Sequence, residues 1–160
     1  MSIKPDIVQR AEQPYIGVRG TVTMDTFAKI ADRIPELIGS LIQQGSQIAG
    51  APFFRYTQID MDHELEVEAG IPITAAVDIQ GDQFTDVLPA GRYVSYTHIG
   101  HPDQLADITG QLVNWAAEQG LTLDNTGQRW GCRLEILKTN PTVEPDMTKW
   151  ETELAIRLAD

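Results

Sequence analysis

The same order of elements is written twice along this chain, and that duplication limits its possible folds more than any other feature. In the first copy Tyr15-Ile-Gly-Val-Arg-Gly-Thr-Val is short and β-branched, the pattern of a strand. Asp25 then supplies a capping carboxylate, and Ile30, Ile34, Leu37, Ile38 and Leu41 follow on one helical face. Pro35 falls inside that run. A proline in a helix interior costs about 3 kcal/mol, so the spacing predicts a kink or restart there, and Gly45 ends the element. Two strands follow, over residues 53–59 and 64–71, joined through the turn-forming cluster at 60–63. The second alternates, with Leu65, Val67, Ala69 and Ile71 on one face and Glu64, Glu66 and Glu68 on the other.

The second copy begins after a junction near Gln80-Gly-Asp-Gln-Phe. Leu88-Pro-Ala-Gly is a turn leading into a strand that ends at Ile99, and Gly91 belongs to that turn. A helix over residues 102–119 carries Leu105, Ile108, Leu112 and Trp115 on one face, and Gly120 closes it. Strands over 131–138 and 150–158 finish the chain, separated by the turn-rich residues 139–146, with Trp150 on the face of Leu154, Ile156 and Leu158. The unit is β-α-β-β, with repeats over about 5–78 and 84–159. One helix and three strands enclose too little core, so the copies are expected to pack as one α+β domain over residues 1–160. That domain should have a central antiparallel sheet, two main helices and a cleft at the pseudo-two-fold seam, a common place for small-molecule pockets.

Composition narrows the function. With 42% hydrophobic residues in 160, the chain can bury an ordinary core. Twelve Lys and Arg against 23 Asp and Glu leave a net charge of −11 spread over both halves, a field that repels phosphate backbones and disfavours nucleic acid as a direct partner. The N-terminus lacks a signal peptide's basic segment and apolar core, and no apolar run reaches the roughly 18–20 residues of a membrane span. A cytoplasmic protein with no membrane partner is expected, and the lone cysteine, Cys132, agrees with a reducing compartment. Cys132 lies in a strand-like run with no His or Asp motif beside it, so it is read as a buried structural thiol.

An ordered set of segments carries a family resemblance: Pro52-Phe-Phe-Arg-Tyr, Glu66-Val-Glu-Ala-Gly-Ile-Pro-Ile, Leu88-Pro-Ala-Gly-Arg-Tyr, His98-Ile-Gly-His-Pro-Asp-Gln-Leu, Trp115-Ala-Ala-Glu-Gln-Gly and Arg133-Leu-Glu-Ile-Leu-Lys-Thr-Asn-Pro. Together they resemble the GyrI-like small-molecule-binding family, which also forms the effector-binding domains of AraC-type and related multidrug-sensing transcription regulators. The resemblance covers about residues 7–158. It implies a ligand in the cleft between the repeats and a buried glutamate in the second repeat, ringed by aromatics. Glu135 holds that position. An aromatic often follows the family's glutamate, and here Ile136 stands instead.

Glu135 is also odd on physical grounds. It falls amid Cys132, Leu134, Ile136 and Leu137, where a buried carboxylate carries a desolvation penalty unless a cation or donor meets it. A lipophilic cation is one such partner, held by the charge and by aromatic faces. An ion pair with Arg133 or Arg55, or exposure on a solvated strand face, is the alternative. Tyr56, Phe54, Tyr96 and Trp130 are candidates for the aromatic wall, and each is equally suited to ordinary core packing. Trp115 and Trp150 are assigned to the core. The stripe Glu64, Glu66, Glu68 is expected to face solvent; a Glu66 or Glu68 turned inward opposite Glu135 would make a dicationic site or an acid–base pair.

Three functions follow in order. The first is a stand-alone module that senses or sequesters a hydrophobic or cationic small molecule. Because the chain begins almost at once with the first strand, the helix-turn-helix segment that regulators of this family carry is expected to be missing. The second is a hydrolase of reactive hydrophobic compounds, as some stand-alone relatives resemble, with Glu68 and Tyr96 or Tyr56 assisting Glu135. The third is a gyrase-inhibitor-like interaction module with a protein partner or a homodimer. No P-loop, dinucleotide fingerprint, G-x-S-x-G or C-x-x-C is present, so no cofactor is expected. His98, His101 and Asp103 sit at a helix start without further ligands, which favours capping or exposure over a metal site.

Overall fold

A computed structural model describes residues 3–45, 47–60 and 63–159. The order of its strands and helices is β1 (Asp6–Arg10), β2 (Gln13–Val22), α1 (Ala28–Ala31), α2 (Ile34–Gln43), β3 (Phe53–Ile59), β4 (Leu65–Pro72), β5 (Phe84–Leu88), β6 (Gly91–Ile99), α3 (Leu105–Glu118), β7 (Asn125–Thr126), β8 (Arg129–Trp130), β9 (Arg133–Leu137) and β10 (Glu151–Arg157). The expected α+β class is observed, with the strands in one antiparallel sheet that curls into a half-barrel. Along the sheet the order is β1-β6-β10-β9-β3-β4-β2-β5, which reads as the same path outward from the β9/β3 seam in both directions. The cluster at 60–63 falls partly outside the described residues. Among the described residues no helix is long and apolar enough to cross a membrane.

Four strands lie beyond those the sequence pattern predicts: β1, β5 and the two-residue β7 and β8. Each copy starts with an extra one, β1 or β5, and each of these two pairs with the opposite copy, β1 on β6 and β5 on β2. Only Ala11 and Glu12 separate β1 from β2, although these strands lie near opposite ends of the sheet. Pro89 and Ala90 separate β5 from β6 in the same way. Connections this short hold the two edges of the sheet together, since two residues reach at most about 7 Å. The curl therefore follows from the exchange of these strands.

The helices form where the periodicity places them. The first breaks at Asp32 and Arg33 and restarts as α2 with Pro35 in its opening turn, where its missing N–H costs nothing. Gly45 and Gly120 follow the two main helices with φ of +92° and +72°, backbone that a side chain would strain. Helices α1 and α2 cover β2 and β4 with Ile30, Leu37 and Leu41 against Val18, Val67 and Ile71. Helix α3 covers the other half, Leu112 and Trp115 packing with Val94, Leu154 and Ile156. Trp150 stands just before β10, and its indole N–H donates to the Glu144 carbonyl at 2.7 Å.

The face turned away from the helices has its own core of Tyr15, Phe53, Leu88, Tyr93, Cys132, Leu134 and Ala155. Tyr15 meets Phe53 edge-on at 5.1 Å, and both rings are fully buried. Gly70 lets them approach: a Cβ there would lie 2.6 Å from Phe53 Cζ and 2.9 Å from Tyr15 Cδ2. Gly70→Ala is expected to lower stability by about 1–3 kcal/mol through overpacking, seen as a lower urea midpoint at constant m-value. An unchanged midpoint would mean that the rings have room to move.

Candidate functional site

The β9/β3 seam lies between the two helical layers, and one register row crosses it. Glu135 on β9 stands opposite Leu154 on β10 and Phe54 on β3. The row continues through Tyr96 on β6 one way, and through Ala69 on β4 and Val18 on β2 the other. Cross-strand partners share a face of the sheet. Glu135 is thus the one charge in a row that is otherwise apolar or aromatic, on the face that carries the helices.

Its surroundings are aromatic on the first-copy side. The Tyr56 hydroxyl donates to Glu135 Oε1. The Tyr56 ring stacks on Phe27 with centroids 6.1 Å apart, and Phe27 meets Phe54 edge-on at 4.9 Å. On the other side the Arg133 guanidinium lies 4.6 Å from the centre of the Trp130 ring. Tyr96 and Trp130 pack against the α3 core. Glu135, Tyr56, Arg133 and Trp130 are all half-buried, so the seam is open to solvent.

Burial pushes the Glu135 carboxyl above its usual range, while the Tyr56 hydrogen bond and the nearby Arg133 charge pull it down without cancelling the effect. Burial, together with the Glu135 charge, likewise pushes the Tyr56 phenol up. Arg133 is pulled below its ordinary value, by burial. Among the described residues neither Arg133 nor Arg55 makes an ion pair or hydrogen bond with Glu135. Arg55 points to the opposite face, donating to the Tyr15 hydroxyl at 3.0 Å and to the Gly131 carbonyl at 2.8 Å. The carboxylate is met by one phenol and keeps acceptor capacity.

Five of the six expected site residues, Glu135, Tyr56, Phe54, Tyr96 and Trp130, share this face or border it. Glu68 does not. It turns inward into the half-barrel, 2% exposed, accepting from the Tyr15 hydroxyl and, at 2.9 Å, from Arg19. The stripe expected to be solvated is therefore buried at its Glu68 end, and the backbone of the sheet separates Glu68 from Glu135. Phe27 and Arg133 belong to the site although the sequence does not single them out as wall residues. Phe27 follows a capping turn and carries no periodic signal, whereas a cation two residues from Glu135 on a strand necessarily shares its face.

The remaining candidates have structural roles. The Asp103 N–H donates to His101 Nδ1, which caps a short helical turn, and His98 Nε2 lies 3.0 Å from Gln104 Oε1. Cys132 is buried, and that burial pushes its thiol up.

Comparison with known proteins gives the family and the fold. The sequence profile of the GyrI-like small molecule binding domain matches residues 3–159. The EcmrR C-terminal domain superposes with a TM-score of 0.82 at 18% identity, covering 98% of either chain. EcmrR in its complex with DNA superposes with a TM-score of 0.80 at 19% identity; 98% of this chain is covered, and it spans 57% of that one. SAV2435 bound to tetraphenylphosphonium gives 0.62 at 12% identity, covering 98% of this chain and 94% of the other. At these identities the structures speak for the fold alone. No curated protein matches the chain at a significant level.

Proposed function

Because the chain belongs to the GyrI-like small-molecule-binding family, we propose that it binds a lipophilic cation at the β9/β3 seam, with Glu135 as counter-charge. The observation that carries this reading is the single half-buried carboxylate in the row Tyr96, Leu154, Glu135, Phe54, Ala69, Val18, with only a phenol bonded to it among the described residues. A cation with an aromatic or aliphatic shell suits both parts of such a site. Its charge offsets the desolvation of Glu135, and its shell covers Phe27, Phe54 and Tyr56. The tetraphenylphosphonium bound to SAV2435 is a ligand of this class, which supports the choice of probe.

Isothermal titration with tetraphenylphosphonium, and with triphenylphosphine oxide as an uncharged aromatic of similar size, tests the proposal. The cation should bind more tightly, and both compounds should be recovered with unchanged mass. Equal affinities would remove the role of the charge, and a compound returned with added water would replace binding by hydrolysis.

Arg133 tunes the same site. Its guanidinium, held on Trp130, is a like charge beside the proposed cation, so Arg133→Gln should strengthen tetraphenylphosphonium binding several-fold. The gain should shrink in 1 M salt as screening weakens the repulsion. A loss of affinity would show instead that Arg133 positions the wall through Trp130.

A further inference from the structure

Where the edges of the sheet meet, a cavity of about 640 Å³ opens on the face away from the helices. Phe53, Tyr93 and Leu134 underlie it, almost fully buried, Leu88, Pro89 and Ile136 line it beside them, and Arg10, Lys138 and Glu153 stand around it. It is distinct from the Glu135 seam because neighbouring strand residues point to opposite faces: Phe53 and Leu134 face the cavity, Phe54 and Glu135 the seam. We propose that this cavity is a second ligand site, for an apolar molecule ending in a carboxylate that Arg10 and Lys138 hold above the apolar lining.

The polar groups set the ligand's chemistry. Glu153 is buried and already fully met: Arg10 and the Ser95 hydroxyl donate to Oε2, the latter at 2.6 Å, and Lys138 Nζ lies 3.1 Å from Oε1. Burial opposes its ionisation, but Ser95, Lys138 and Arg10 outweigh that and hold the carboxyl below its usual range. Two cations thus share one anion. Arg10 places its guanidinium 5.7 Å from the centre of the Tyr93 ring, and its Nε is buried without a hydrogen-bond partner among the described residues.

The side chains of Arg10 and Lys138 remain 35% and 45% exposed, so both can reach an acceptor entering the mouth. Glu12 also lines the lip but is exposed, where its charge is screened. A ligand cation would meet two like charges here. A neutral alcohol would leave the surplus donors poorly matched, and a carboxylate supplies the missing acceptor on charged donors. The volume lies within the usual range of small-molecule pockets, for which barrel mouths are a recurrent place.

Calorimetric titration of the whole chain with octanoate, octanol and octylammonium tests this, with ring signals of Phe53 and Tyr93 followed by NMR. Octanoate should bind most tightly and shift those rings. Arg10→Gln and Lys138→Gln should each weaken it about tenfold, while Glu135→Gln leaves it unchanged. Lys138, half-exposed at the rim, keeps the test open if the Arg10 variant fails to fold. Absence of saturable octanoate binding, equal binding of octanol, or a loss confined to Glu135→Gln would each overturn the proposal. Because Glu135→Gln affects only the seam, failure here and failure of the cation site are separable.

Discussion

Replacing Glu135 by glutamine is expected to lower the affinity for tetraphenylphosphonium about ten- to hundredfold, and at the same time to raise the melting temperature of the unliganded protein by a few degrees. The two effects share one cause. The carboxylate is half-buried beside apolar neighbours and, among the described residues, is hydrogen-bonded by Tyr56 alone, so the unliganded fold bears its desolvation. Glutamine keeps an oxygen for the Tyr56 hydroxyl and removes the charge. The wild-type carboxyl is held above its unfolded value by burial. Stability from this group is therefore complete below the unfolded carboxyl's range and is lost as pH rises through the folded value, because the native state then binds more protons than the unfolded one. Cation affinity runs the other way, rising with pH over the same window as Glu135 ionises. Thermal melts and titrations across that window, on wild type and variant, read both trends. Unchanged affinity in the variant would remove Glu135 from the site, and a lower melting temperature would show that the carboxylate is net stabilising without ligand.

Glu135 is legible in the sequence because the family resemblance points to it and because Leu134, Ile136 and Leu137 around it are apolar, and Tyr56 and Phe54 because aromatic residues two apart on a strand share a face. The helices are legible for a similar reason: Ile30, Leu37 and Leu41 repeat at helical spacing, and Pro35 marks the restart observed at Ile34. Strands β1 and β5 are not. Asp6–Arg10 and Phe84–Leu88 are five residues each, largely exposed, and their partners lie in the opposite copy, so no local pattern records the pairing. That omission also explains Glu68. Alternation assigns Glu64, Glu66 and Glu68 to the face away from the helices, which is solvent for a flat sheet. Once β1 and β5 draw the edges together, the same face becomes an interior.

Glu68→Leu is accordingly expected to destabilise the protein by about 3–5 kcal/mol, the largest stability effect foreseen for a single substitution here. Glu68 faces Arg55 in the β3/β4 register, accepts from Tyr15 and Arg19, and is 2% exposed. Arg19 is half in water and would re-solvate when its partner is lost. Arg55 would not. Its Nε is already buried without a hydrogen-bond partner among the described residues, and its two terminal nitrogens donate to the Tyr15 hydroxyl and the Gly131 carbonyl, so removing Glu68 leaves a half-buried cation whose carboxylate neighbour is gone. The penalty belongs to that orphaned charge rather than to the lost contact, which gives the prediction its sharper form. Adding Arg55→Met to Glu68→Leu should recover much of the stability, because an apolar replacement of both charges removes the desolvation of each. Urea unfolding of the two single variants and the double one measures the coupling. Additive losses would show that packing around Tyr15, not charge balance, holds this network. Tetraphenylphosphonium binding by whatever fraction of Glu68→Leu remains folded should match wild type, since the sheet backbone stands between this carboxylate and the seam; a loss there would bring Glu68 back into the site.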